Sequence, residues 1–93
     1  MIRSFKDRST AALFEGSRPR RIDARVIERA HDVLDLLDAA ASPVDFLAVP
    51  GLRAKKLKGD RAGQWSLRVN DQYRICFRWT SDGPADVEFC DYH

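Results

Sequence analysis

The sequence predicts an α+β domain, with helices in its first half and an antiparallel meander in its second. Three observations carry this. Apolar residues between positions 26 and 37 recur at steps of three and four, the period of one helix face. Beyond residue 53 the period becomes two, the signature of strands with one buried face. The segments between the alternating runs are too short for helical crossovers, so neighbouring strands must run antiparallel. With 93 residues the chain has room for one domain, spanning 1–93, and one modest core. Its 44% hydrophobic fraction is ordinary for a folded domain, and its 32% charged fraction is somewhat high.

Taken in order, "IRSF" reads as a short opening strand and "KDRSTAALFEG" as a short helix stopped by Gly16, a residue that readily takes the left-handed conformation of a helix end. "DARVIERAHDVLDLLDAA" is an amphipathic helix. Val26, Ile27, Ala30, Val33, Leu34 and Leu37 form its apolar face, and Arg25, Glu28, Arg29, Asp32, Asp35 and Asp38 lie mainly opposite. Asp23 is placed to cap its start, and "ASP" at 41–43 ends it, because proline disfavours helix in the residue before it. His31 reads as a surface or boundary residue, since no second metal-binding side chain lies one turn away. "ASPVDFLAVPGL" reads as a loop ordered by Phe46 and Leu47 packing onto the core. "RAKKLK", "QWSLRV", "YRICFRW" and "DVEFCDY" are the candidate strands, separated by "GDRAG", "ND" and "SDGPA".

Register follows from the alternation. A two-residue turn at Asn70-Asp71 would set Leu67 across from Arg74 and fails, because a one-residue slip exchanges the faces. A three-residue loop, Asn70 to Gln72, pairs Val69 with Tyr73, Leu67 with Ile75 and Trp65 with Phe77, giving a continuous apolar face. That assigns Trp65, Phe77 and Trp79 to the core rather than to a ligand. On the other face Arg68 lies across from Arg74, and opposed like charges destabilise a sheet unless an anion lies between them. Extending the same matching, Phe77 pairs with Phe89, which sets Tyr92 beside Arg74.

Composition excludes several function classes. No apolar run approaches membrane-spanning length and "MIRSFKDRST" lacks the apolar stretch of a signal peptide, so a cytoplasmic protein is expected. Cys76 and Cys90 lack metal or redox CxxC spacing and are expected as buried thiols, with no metal and no cofactor. Charge is segregated. Between Arg53 and Trp79 eight basic residues face two acidic ones, a surplus of six, whereas the remainder carries eight basic and twelve acidic residues, a deficit of four. A polyanion is the natural partner of such a segment.

"LKGDRAGQWSLRVNDQYRICFRW", closing on "DYH" and preceded by "MIRSF" and "LDLLDAA", resembles the HigB toxins of the RelE-like superfamily over essentially the whole chain. The resemblance implies two N-terminal helices packed on a twisted antiparallel sheet, the RelE-like microbial RNase fold. It implies a ribosome-dependent endoribonuclease that cuts mRNA in the decoding site of the small subunit by attack of the substrate's own 2′-hydroxyl, without metal. It also implies a HigA-type helix-turn-helix antitoxin as partner, a toxin monomeric on its own, and a toxin–antitoxin complex able to bind operator DNA. Lys58, Arg68, Arg74, Asp91, Tyr92 and His93 match positions that the family uses on RNA. Where some relatives have a histidine three residues before the "LKG" lysine, this chain has Lys55, a poor proton shuttle with an unperturbed pKa of about 10.4.

The chemistry of the residues agrees. Phosphoryl transfer needs cations for the charge of the transition state and groups that move protons at the attacking and leaving oxygens. Lys58 and Arg74 suit the first need, with Lys55, Lys56, Arg61 and Arg68 as RNA-binding cations. His93 suits the second, its ordinary pKa of about 6.5 allowing exchange at cellular pH. Tyr92 is suited to stacking on a base, and Asp91 to orienting the strand end or pairing with an arginine. A gyrase-directed toxin on the same fold and a noncatalytic ribosome or RNA binder are the competing readings; "DYH" and Lys58 favour the nuclease.

Overall fold

The computed structural model describes residues 1–91. Helix α1 (Arg8–Phe14) starts where the Asp7 carboxylate accepts the Thr10 N–H at 2.7 Å. It ends as expected at Gly16, whose φ of +111° lets its own N–H reach the Leu13 carbonyl and the Ser17 N–H reach that of Ala12. Helix α2 (Ala24–Ala39) is capped by Asp23, which accepts the Arg25 N–H. Ile27, Ala30, Val33, Leu34 and Leu37 are buried as predicted, while Val26 is half-buried.

The segment expected to be a loop after α2 is more regular than its prolines suggest. It contains a helical turn, α3 (Val44–Leu47), and a 3-10 turn (Pro50–Leu52). The Asp45 carboxylate accepts the N–H groups of Ala41 and Ser42, holding the turn closed. Helical geometry then decides which side chain enters the core: Phe46 is fully buried, whereas Leu47, one position on, points away and is 51% exposed. Phe46 meets Trp65, Phe77 and Trp79 edge-on at 5.2, 5.4 and 5.8 Å between ring centroids, a favourable arrangement for aromatic quadrupoles.

Four antiparallel strands, β1 (Lys55–Lys56), β2 (Trp65–Arg68), β3 (Tyr73–Thr80) and β4 (Gly83–Asp91), form a sheet in sequential order. The β2–β3 register is the predicted one, with Trp65 opposite Phe77, Leu67 opposite Ile75 and Arg68 opposite Arg74. Leu67, Ile75, Phe77 and Val87 face the helices and share one core with Leu13, Ile27, Val33, Leu34 and Leu37.

The β3–β4 register differs from the expectation. Phe89 pairs with Ile75, not Phe77, and Cys90 is the residue opposite Arg74. The cause lies in the turn. "SDGPA" is not a five-residue loop; Thr80 pairs directly with Gly83, leaving a two-residue connection, and Gly83, Pro84 and Ala85 join β4. A bulge at Asp86 (φ +52°) and Val87, opposite Phe77, then adds one residue. Gly83 permits this entry: its φ is +123°, and a Cβ there would lie 2.5 Å from the Met1 carbonyl oxygen.

The opening "IRSF" makes only an isolated parallel bridge, Phe5 to Val87, rather than a strand. Pro84 has no N–H to donate and the bulge breaks the ladder, so this edge of β4 offers few regular partners. The segment is held instead by Arg3 N–H to the Pro84 carbonyl, Val87 N–H to that of Ser4 and Ile2 N–H to the Asp38 carboxylate.

Candidate functional site

Side-chain alternation along the strands builds the site on the sheet face away from the helices. One rung across it runs Lys55, Ser66, Cys76, Glu88, and the next runs Arg68, Arg74, Cys90. The chain after β1 folds back over this face. Leu57 N–H bonds the Gln64 carbonyl at 2.8 Å, and the Leu57 side chain is buried together with Cys76 and Cys90. Lys58 stands exposed at the head of the 3-10 turn Gly59–Arg61, and Arg61 reaches across to Glu88, Nη1 to Oε1, at 3.1 Å.

The sequence set Lys58, Arg61, Arg68 and Arg74 in one cationic segment, and the sheet brings Arg68 and Arg74 onto opposed positions. The acids that accompany them were not legible. Arg68 bonds Asp71 at 2.5 Å, and the guanidinium holds that carboxyl below the usual carboxylate range. Arg61 is held above its ordinary value chiefly by its hydrogen bond to Glu88, and its Nη1 also donates to Gln64. Arg78 lies 3.6 Å from Asp86. The surplus of six is therefore partly neutralised in three dimensions, with Glu88 and Asp86 coming from the acidic part of the chain. The period-two pattern placed Glu88 on the face of Cys90, but only the β3–β4 register puts it within reach of Arg61.

Lys56 alternates to the other face, where its Nζ lies 5.4 Å from the centre of the Trp65 ring. Asp91 is also on that side, paired with Tyr73, its carboxylate accepting the Gln72 amide at 3.0 Å. It lines a groove of about 430 Å³ with Asp7, Thr10, Tyr73 and Phe89. Tyr92 and His93, with the expected approach of Tyr92 to Arg74, lie outside the described residues. Among the described residues no three His, Cys, Asp or Glu side chains gather as a metal-binding group, and no helix is long and apolar enough to cross a membrane.

Comparison with known proteins agrees with this architecture. Residues 3–93 match the model of the HigB-like toxin family, described as the RelE-like toxin of the type II toxin–antitoxin system HigB. Toxin HigB-1 of Vibrio cholerae serotype O1 is 37% identical, with 100% of this chain and 98% of that protein covered. Endoribonuclease HigB of Proteus vulgaris is 32% identical over the full length of both chains. Among solved structures, the YoeB–YefM complex from Staphylococcus aureus shares the fold (TM-score 0.63, 16% identity, 100% of this chain and 98% of that one). So does the YoeB/ParE toxin from Agrobacterium tumefaciens (TM-score 0.58, 25% identity, 97% of each chain). The sheet, its two main helices and the match along nearly the whole sequence place this chain in the HigB family of RelE-like toxins of type II toxin–antitoxin systems.

Proposed function

We propose that this toxin is a ribosome-dependent endoribonuclease that cuts mRNA in the decoding site and so stops translation in the cytoplasm, and that a HigA-type antitoxin neutralises it. The observation that carries the reading is the Arg68–Arg74 rung, two cations directly opposed on one sheet face with Lys55 on the neighbouring rung. Asp71 already supplies Arg68 with one carboxylate at the exposed rim, and a phosphodiester bridging Arg68 to Arg74 would add a second anion to the rung. The relative named Endoribonuclease HigB supports the choice of RNA as substrate.

In the proposed reaction the 2′-hydroxyl attacks the adjacent phosphorus, the bond to the 5′-oxygen breaks, and a cyclic phosphate and a free 5′-hydroxyl result. Lys58 and Arg74 offset the charge that grows on the phosphoryl oxygens. Arg68 and Lys55 hold the flanking phosphates, and Lys56 serves at the sheet edge. Arg61, tied to Glu88, positions the segment that carries Lys58. His93 moves the proton and Tyr92 stacks on a base.

Mapping of 5′ ends on programmed ribosomes tests this. Discrete cuts within codons are expected, persisting in EDTA at concentrations that leave ribosomes intact. Stalling without cuts would instead indicate a ribosome blocker, and unaffected translation a gyrase-directed toxin. Efficient cleavage of naked RNA that the chelator abolishes would overturn the metal-free mechanism.

Lys58→Ala and Arg74→Ala are each expected to slow single-turnover cleavage at least about tenfold, a lost charge-assisted contact to phosphate being worth roughly 1.5–3 kcal/mol. Lys58 is exposed, so its variant should melt with the wild type; Arg74 is half-buried, and a loss of about 1 kcal/mol in stability is expected there. Full-speed cutting by a folded variant would remove that residue from the mechanism.

A further inference from the structure

Cys76 and Cys90 have no role in the proposed cleavage, yet they lie beneath the face that performs it. Cys76 is opposite Glu88 and Cys90 opposite Arg74, so the two occupy diagonal positions on adjacent strands. Both are free and buried, and their Sγ atoms are 3.2 Å apart. Cys90 Sγ also lies 3.6 Å from the Arg74 carbonyl oxygen, which joins the pair to the backbone of the cationic rung. Their cover is thin: Leu57 packs on both, and the segment after it is pinned to the sheet by the Arg61–Glu88 pair, whose side chains are 31% and 18% exposed.

We propose that Cys76 and Cys90 are a redox-active dithiol, closed to an intrachain disulfide by a hydroperoxide and reopened by a reducing dithiol, and that closure slows the toxin by reshaping the rung of Arg74. Two features prepare the pair. The hydrogen bond shared by the two sulfurs holds Cys76 below the ordinary thiol range, with Arg61 and Arg74 adding to the effect and burial and Glu88 opposing it. The same contact, with burial, pushes Cys90 up, so one sulfur is the nucleophile and the other retains its proton.

The Cys76 thiolate attacks one oxygen of hydrogen peroxide, the O–O bond breaks, and a sulfenic acid and hydroxide form, the hydroxide becoming water with the proton that Cys76 gave up on ionising. The Cys90 sulfur then attacks Cys76 Sγ, the S–O bond breaks, and the departing hydroxide, with the Cys90 proton, leaves as water. Two thiols are oxidised by two electrons and the peroxide is reduced to two waters. Thiol–disulfide exchange with a dithiol reverses the bond. Closure replaces the Cys76–Cys90 hydrogen bond by a covalent bond beside Arg61 and Arg74, draws Cys90 Sγ from the Arg74 carbonyl, and clamps β4 to β3 two residues before the Tyr92–His93 end.

The proposal's second half rests on the ribonuclease reading; the first does not, and thiol chemistry separates them. The full chain, folded, is titrated with hydrogen peroxide and followed by intact mass and free-thiol content. Loss of two hydrogens and of both thiols within one chain, reversed by dithiothreitol, is expected, with cleavage at least threefold slower while oxidised. Cys76→Ser and Cys90→Ser are each expected to keep their cleavage rate in peroxide; if one fails to fold, the other and the wild-type mass still decide. Thiols that survive peroxide in the folded chain, or that over-oxidise singly, would overturn the site. A disulfide that forms without changing an active toxin's rate would overturn the control. A reduced chain that never cuts RNA indicts the ribonuclease reading instead.

Discussion

Replacing His93 by glutamine is expected to slow single-turnover cleavage on programmed ribosomes by at least about 100-fold, because a positioned acid–base group contributes roughly 100- to 10,000-fold. On the face of the proposed site Glu88 is tied to Arg61 and the two thiols are buried, and the groups that the mechanism assigns to the described part are lysines and arginines, which carry charge but exchange protons poorly near neutrality. The only other histidine of the chain, His31, is on α2, the helix packed against the opposite face of the sheet. Proton transfer in the proposed mechanism therefore falls to His93. Glutamine keeps hydrogen-bonding capacity and removes the titration, so a large loss with unchanged melting temperature and antitoxin binding would assign the role. Cell growth should recover in parallel, since in the proposed mechanism toxicity follows cleavage. Undiminished cutting by His93→Gln would show that "DYH" is a strand end and that another group moves the proton.

Phe46→Ala is expected to cost about 3–5 kcal/mol of folding stability. Phe46 is fully buried and forms the centre of three edge-on aromatic contacts with Trp65, Phe77 and Trp79, so truncation leaves a cavity that three rigid rings collapse into poorly. Against a total of roughly 5–15 kcal/mol for a domain, this is a large share. Leu47→Ala, half-exposed on the same helical turn, should change stability by no more than about 0.5 kcal/mol. Chemical denaturation of both variants measures the difference. A cost below about 1.5 kcal/mol for Phe46→Ala would mean that the aromatic cluster does not anchor the segment between α2 and β1.

Much of this was legible because it is local or periodic. Helix α2 carries its own cap, stripe and stop within the residues it contains, and short-range physics needs nothing further to place it. The β2–β3 register follows from matching two alternating runs across a short loop, which is why the opposition of Arg68 and Arg74 could be read directly. The four strands after residue 53 and the buried state of both cysteines belong with these, whereas the opening "IRSF" does not.

Other features depended on contacts between residues far apart in sequence. Whether "SDGPA" is a loop or the start of a strand turns on Gly83 entering beside Met1 and on a bulge opposite Phe77, neither of which leaves a periodic trace. That choice put Cys90 opposite Arg74. Arg61 belongs to the cationic segment by sequence, and only the fold brings Glu88, 27 residues on, to it. Lys56 and Asp91 turned to the helix side because pairing fixes which face each position takes. By itself the sequence determined the fold class, helices α1 and α2, one hairpin and the cationic character of the segment, because propensity and periodicity act over a few residues. Tertiary structure alone decided that Arg61 meets Glu88 and Arg78 meets Asp86, because these ion pairs form across the sheet, whose register is set by turns, bulges and packing.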